Sequence, residues 1–407
     1  MTTQVQFLIA GGGPAGLMLG VLLARAGVDV LVLEKHADFL RDFRGDTVHP
    51  STMQVLHELG WLDDFLKLPH ERVQRLKARF GDTSLSMVDL SHLPVAAPFI
   101  AMMPQWDFLN FLAQKGAAYS GFRLLMETEA KSLLIENGRV TGVTFEAHGH
   151  TNTVGAELVV AADGRTSILR AASGLASQSF GAPMDVLWFR VTRLASDTAE
   201  TQASFDTGRI FIMLNRGDYW QCAFLIPKGS DAMVRAAGLG ALQKTVGPLL
   251  PFEAARALSI TSMDDVKLLS VCVDRLITWS RPGLLCIGDA AHAMSPVGGV
   301  GINLAIQDAV AAANLLAKSL LEKRLTFADI QSVQARRDWP TRMTQRFQLM
   351  MQNTIIAPAL AATGAMKPPL ALRLLTSIPG LNRLPARILG LGFRPEHVDA
   401  WIRQANG

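Results

Sequence analysis

The stretch Gly11-Gly12-Gly13-Pro14-Ala15-Gly16 constrains this chain more than any other. It follows an apolar run from Val5 to Ala10 and opens an apolar helical pattern that reaches about Ala26. A second apolar run, Val28 to Leu33, then ends at Glu34. That order is strand, crossover helix, parallel strand, and it demands a sheet covered on both faces. Gly11 permits the tight turn, Gly13 lets the backbone approach a pyrophosphate, and Gly16 lets helix and strand pack closely. Glu34 follows about twenty residues on, where a carboxylate can take both hydroxyls of an adenosine ribose. It would repel a ribose 2′-phosphate, so this cleft suits FAD or NAD rather than NADP.

A second stretch repeats the logic. Leu284 to Ile287 reads as a short buried strand that delivers Gly288-Asp289 to its carboxyl end, the edge at which open α/β sheets bind ligands. Asp289 can accept a hydrogen bond from a ribityl hydroxyl, while Gly298, Gly299 and Gly301 clear side-chain atoms away from a flat ring. From Ile302 to about Leu321 the pattern predicts a helix whose free N–H groups and positive dipole end face that loop. Such a helix start suits the negative charge of a reduced flavin.

Between these stretches the periodicity changes several times. It lapses from Arg41 to Pro50, which places Arg44-Gly45 in a loop, either solvated or clamping a phosphate or flavin edge; Ser51 reads as the cap of a helix from Thr52 to Leu59. Leu76 to Gly81 and Leu85 to Leu90 predict strands of a separate sheet. Gln105 stands near the entrance of a predicted helix, Asp107 to Ala118. A strand from Thr153 to Ala162 ends in Asp163-Gly164, with Ser167 and Arg170 on one helical face beyond it. Val186 to Arg193, Ala203 to Phe205, Arg209 to Leu214 and Tyr219 to Ile226 alternate between turn signals and predict an antiparallel sheet. Trp188, Arg190, Phe211, Met213 and Trp220 are its candidates for a substrate pocket, joined by Pro296 of the glycine-rich loop. Leu242 to Leu258 predicts a helix, and Val266 to Leu276 a returning strand.

The expected fold class is therefore α/β. A Rossmann-like FAD-binding domain (residues 1–71, 102–182 and 264–345) is interleaved with an antiparallel-sheet substrate domain (72–101 and 183–263), and a helical C-terminal segment covers 346–407. Apolar residues at 49% and charged residues at 18% allow a large core. The net charge of +4 is spread without basic runs, so no nucleic-acid partner is expected. Cys222, Cys272 and Cys286 lie in strand-like surroundings without metal-type spacing, which points to no metal site and to a reduced, cytoplasmic protein.

Taken in order, Gly11-Gly13-Gly16-Glu34, Arg44-Gly45, Gln105, Asp163-Gly164 and Gly288-Asp289-Ala290-Ala291-His292 make the chain resemble a single-component FAD-dependent monooxygenase of the para-hydroxybenzoate hydroxylase family, over about residues 1 to 345. The resemblance implies FAD held by Gly11, Gly13, Pro14, Ala15, Gly16, Glu34 and Lys35, by Arg44 and Gln105, and by Gly288 and Asp289 on the ribityl chain. It implies Asp163 in a turn shared with NAD(P)H, and Gly298, Gly299, Val300, Gly301, Ile302 and Asn303 along the isoalloxazine. The activity it implies is reduction of the flavin by NADPH or NADH, a flavin C4a-hydroperoxide formed with O₂, and transfer of one oxygen atom to an apolar, aromatic or quinone-like small molecule. The cofactor carries that chemistry, so no Ser-His-Asp or metal cluster is required. His292 is the candidate acid or base. Two departures stand out: Val300 replaces a frequent Gln, and Tyr119 and Tyr219 are the chain's whole complement of tyrosine, which argues against a tyrosine relay to a phenol. The alternatives are an FAD-dependent reductase of an isoprenoid-like substrate and a halogenase relative.

The tail is apolar and cut by proline at 358, 368, 369, 379 and 385, too broken to span a bilayer. Arg373, Arg383, Arg387 and Arg394 recur among its apolar residues. This suits helices packed on the FAD domain, helices at an anionic inner-membrane surface, or the walls of an apolar substrate tunnel. Monomer and homodimer are equally open.

Overall fold

The computed structural model describes residues 3–40, 47–81, 83–197, 201–364, 367–369, 372, 381 and 383–405. Arg44, Gly45 and Arg373 lie outside the described residues. The first strand, Thr3–Ala10, pairs in parallel with Val30–Leu33 on one side and His150–Ala161 on the other. Outward from these, Val30–Leu33 pairs with Phe122–Leu125 and His150–Ala161 with Leu284–Cys286, again in parallel. Phe7, Leu8 and Ile9 are wholly buried, as expected for a strand covered on both faces. The register sets Ala10 beside Leu33 and Ala161, and Ala161 beside Cys286. The loops beginning at Gly11, Glu34, Ala162 and Ile287 therefore leave along one sheet edge.

Helices Pro14–Arg25 and Gly301–Leu321 pack on each other over this sheet. The second is long and apolar enough to cross a membrane, but 78% of its apolar window is buried in the protein, so it is a core helix. The nearer helix begins at Pro50 rather than at a Ser51 cap, because proline is suited to the first helical position, where no N–H is needed.

Among the described residues the second sheet is seven-stranded, in the order Lys267–Leu269, Met184–Thr192, Tyr219–Pro227, Arg209–Asn215, Gln202–Asp206, Arg75–Phe80, Thr83–Asp89. Its pairings are antiparallel except that Gln202–Asp206 runs parallel to Arg75–Phe80. Two expectations change here. The helix read over Leu242 to Leu258 survives as Leu239–Val246 and then gives way to 3₁₀ turns, since Pro248 and Pro251 lack the N–H a helix needs. The strand read over Val266 to Leu276 divides into Lys267–Leu269, on this sheet, and Asp274–Leu276, paired with Ser177–Ser179.

Helix Phe327–Met351 starts with a reciprocal Thr326–Asp329 capping box, runs into a π-helical turn, Gln352–Ile356, and continues as Ala357–Ala361. Ile356 and Ala359 pack on Met184, Val186, Ile210, Ala223 and Leu225 of the second sheet. Helix Arg383–Leu391 turns Ala386 and Leu389 onto Val88, Leu90, Ile100 and Met102. The tail from Ile356 to Leu389 thus covers the second sheet, while Val398 and Ile402 join the core of the first sheet, as helices packed on that domain would.

Candidate active site

The sheet edge that collects the loops has the shape of a dinucleotide cradle. Gly11 takes φ +108°, and a Cβ there would stand 2.4 Å from the Ala162 carbonyl; one on Gly16 would stand 2.0 Å from the Gly11 carbonyl. The turn and helix are therefore as close as backbone allows. A Cβ on Gly13 would meet nothing within 4 Å, so that backbone borders open space. Glu34 Oε2 accepts from Gly12 N at 2.9 Å, which aims the carboxylate into the same cleft. Lys35 beside it is exposed, and Gln105 sits half-buried at the first position of helix Gln105–Gly116. Gly288 meets Ala15, since a Cβ on Gly288 would lie 3.2 Å from the Ala15 Cβ, and this joins the two glycine motifs.

Asp163 and Asp289 are both engaged by protein groups. Asp163 Oδ2 accepts from Ile168 N at 3.0 Å and Leu169 N at 3.4 Å, capping a short helix, while Oδ1 is buried without a partner among the described residues. Burial pushes its carboxyl above the ordinary range against these hydrogen bonds. Asp289 pairs with Arg165 at 3.1 Å. Arg170 pairs with Asp274 at 3.2 Å.

The glycine-rich loop is fixed from two sides. Thr47 Oγ1 donates to Gly299 O at 2.9 Å, and Asn303 Oδ1 accepts from His49 N at 3.2 Å and Thr52 Oγ1 at 2.7 Å. Behind it, Gln345 and Gln348 of the long helix and Gln352 at the start of its π-helical continuation share one face. Gln345 Nε2 donates to Ala293 O at 3.2 Å, Gln348 Nε2 to Ser295 O at 2.9 Å and Val297 O at 3.0 Å, and Gln352 Nε2 to Ser295 Oγ at 2.6 Å. This glutamine row, unread in the sequence, holds the backbone around Pro296. Ile302 and Asn303 are buried at the start of helix Gly301–Leu321, and Val300 is half-buried just before it.

His292 lies behind this loop. Its ring is 1% exposed, stacks at a tilt on Trp279, and donates from Nε2 to Asp308 Oδ2 at 2.6 Å. The same oxygen accepts from Gly288 N at 3.1 Å, and Oδ1 accepts from the buried Arg337 Nε at 3.0 Å. Arg337 reaches on to Glu396 at 3.3 Å. Burial favours a protonated Asp308, but the charges and hydrogen bonds of His292 and Arg337 outweigh it and hold the carboxyl below the ordinary range. The structure thus places His292 in the buried scaffold of the Gly288-Asp289 turn.

The register of the second sheet separates the pocket candidates. Trp188 pairs with Ala223, and Ala223 with Ile212, so these share a face; Leu187, Phe224 and Phe211 share the other. Phe211, Met213 and Trp220 fall on that other face, in a core formed with Leu242, Val246 and Leu249. They face away from the glycine-rich loop. Trp188 lies on the face that Val297, Ile356 and Leu389 cover; Arg190 shares that face by register but is exposed. Gln221 and Leu214, cross-strand partners on the same face, were missed. The signal for Gln221 is a lone amide at an inward position of an otherwise apolar strand.

A family model described as an FAD binding domain matches residues 3–344. The 6-methylpretetramide 4-monooxygenase of Streptomyces rimosus is 30% identical over 385 residues, 93% of this chain and 91% of that protein. The chain belongs to the family of FAD-dependent aromatic monooxygenases. It is also 27% identical over 338 residues, 79% of each chain, to the digeranylgeranylglycerophospholipid reductase of Methanocella arvoryzae. The structure of the OxyS anhydrotetracycline hydroxylase from Streptomyces rimosus superposes with a TM-score of 0.76 at 20% identity, covering 97% of this chain and 77% of that one. As a flavoprotein monooxygenase of this family, the chain binds FAD. Its residues fit the cofactor: open space at Gly13, the Glu34 carboxylate in the cleft, and a buried Asn303 Nδ2 with no partner among the described residues, beside a helix N-terminus.

Proposed function

We propose that this monooxygenase uses NAD(P)H and O₂ to insert one oxygen atom into an apolar, aromatic or quinone-like small molecule. The observation that carries the reading is the placement of an apolar sheet face, with Trp188, Ile212, Leu214 and Ala223, against the loop of Val297 and Gly298 under a cover of Ile356 and Leu389. When bound, FAD supplies the redox chemistry, taking reducing equivalents from NAD(P)H and activating O₂. The protein's share is binding, orientation and exclusion of water. Glu34 would hold the adenosine ribose, Gly11, Gly13, Pro14, Ala15 and Gly16 the pyrophosphate, and Asp289 the ribityl chain. The free amides and dipole of helix Gly301–Leu321, with Asn303 Nδ2, would favour negative charge on the pyrimidine edge. The glutamine row and the Thr47 and Asn303 bonds keep the ring's seat rigid, and the packed tail keeps the face dry.

The test is mass spectrometry of product formed under ¹⁸O₂, with NADPH oxidation and hydrogen peroxide release followed together over a panel of polycyclic phenols and quinones. A true substrate speeds NADPH oxidation and lowers the peroxide yield, and its product carries one labelled atom. Product whose new oxygen comes from water refutes the reading. Product formed equally well without O₂ does so in favour of a second reading, a reductase, which the similarity to the archaeal reductase supports.

A further inference from the structure

We infer that Gln221 sets substrate specificity by presenting a donor-only amide to an oxygen acceptor, a carbonyl or phenolate, on the edge of an apolar ring system. The inference rests on the proposed monooxygenase reading and names the ligand chemistry of its pocket. Gln221 is 2% exposed. It sits in strand Tyr219–Pro227 between Trp220 and Cys222, which point into the far core, so its own side chain takes the face turned to the flavin loop. Its cross-strand partner Leu214 packs there with Met102, Ala386 and Leu389. Leu389 in turn meets the flavin loop, since a Cβ on Gly298 would fall 2.8 Å from its Cδ1.

The orientation of the amide is fixed chemically. Arg216 Nε donates to Gln221 Oε1 at 2.7 Å, and a guanidinium has no acceptor, so the oxygen must face Arg216 and the –NH₂ must face away. That Nε2 is buried and has no partner among the described residues. A buried donor left unpaired is a standing cost that a ligand's acceptor can relieve, while a ligand without one leaves it in place. The surrounding charge has the same sense: Arg190 is the other cross-strand partner of Gln221 and stacks its guanidinium over Tyr219 at 4.6 Å. The inward face therefore grades from apolar, at Val186, Ala223 and Leu225, to donor-only at Gln221, and it orients a ring whose oxygen-bearing edge lies at the Gln221 end.

The experiment uses FAD-loaded enzyme and two probes that share a ring skeleton, xanthone and xanthene, which differ in a carbonyl against a methylene. Dissociation constants come from the change each causes in the flavin absorption spectrum. The wild type is expected to bind xanthone about ten- to hundredfold more tightly than xanthene. Gln221→Leu abolishes the difference by weakening xanthone. Gln221→Glu, which keeps a partner for Arg216 but offers an acceptor in place of a donor, abolishes it as well. Equal binding of the two probes by the wild type, an undiminished preference in both variants, or no spectral change with either probe overturns the inference. The FAD content of each protein and its NADPH-driven peroxide release in air are read in the same samples, so loss of the flavoenzyme reading would show separately.

Discussion

His49 should make the fold sensitive to mild acid. The side chain is wholly buried between the flavin loop and the C-terminal cover: its backbone N–H donates to Asn303 Oδ1, and ring Nδ1 donates to Leu389 O at 2.9 Å. Burial, opposed in part by the Leu389 hydrogen bond, lowers its pKa from 6.5 to about 4. In the unfolded chain the ring takes up a proton near pH 6.5, and in the folded chain only near 4, so between those values the unfolded state holds more protons. Stability is therefore full above about pH 6.5 and falls as the pH drops toward 4. Each pH unit of that window costs about 1.4 kcal/mol, and the loss accumulates to roughly 2–3 kcal/mol between pH 7 and 4.5. The assay is urea denaturation of the FAD-loaded protein at those two pH values, beside His49→Gln, which keeps a donor but cannot be protonated. Carboxylates titrate in both proteins and cancel in the comparison. The substituted protein should lose about 2–3 kcal/mol less on acidification. Parallel losses in the two proteins would refute the reasoning.

Glu34→Ala and Asp289→Ala should each weaken FAD retention about ten- to hundredfold, the value of a charge-assisted hydrogen bond, measured by equilibrium dialysis; two variants that hold FAD like the parent would contradict the cradle. Gly16→Ala places a methyl where only 2.0 Å separates it from the Gly11 carbonyl, so it should cost about 1–3 kcal/mol or more and shift the urea midpoint, and an unchanged midpoint would deny the close packing. Arg337→Met removes the cation that Asp308 and Glu396 share, leaving Asp308 to His292 and Glu396 to Arg336, and should destabilise by about 1.5–3 kcal/mol, whereas Arg337→Met with Asp308→Asn should recover part of it. Equal melting of the single variant and the parent would show that the network bears no load.

The elements of the FAD-binding fold were readable because each announces itself locally. Glycine spacing between two apolar runs, with an acid after the second, specifies a βαβ unit wherever it occurs, and Gly288-Asp289 repeats the cue. What stayed hidden depends on registration between distant segments. Alternation tells which residues of one strand share a face, but not which face of the next strand they meet, and so Phe211, Met213 and Trp220 could be grouped with Trp188 and Arg190 until the pairing of Trp188 with Ala223 separated them. His292 looked reactive because it closely follows the Gly288-Asp289 turn; its partner Asp308 comes from the next helix and Arg337 from the one beyond. The glutamines at 345, 348 and 352 form one helical face, yet no apolar pattern marks them, since what they bind is backbone carbonyls and the Ser295 hydroxyl.

The cover formed by the tail gives the two sides of the proposed substrate site separate genetic addresses. The sheet face and flavin loop belong to residues 3–344, the part that matches the family, while Ile356, Ala386 and Leu389 lie beyond it. Change in substrate range can then proceed by replacing the later segment while the redox apparatus is inherited intact. A chimaera made this way succeeds only if the incoming segment supplies what the older part already expects: amides opposite Ser295 and Val297, a carbonyl for His49, and a carboxylate for Arg337. Those few polar joints, rather than the apolar contacts between cover and sheet, are the terms on which one cover can be exchanged for another.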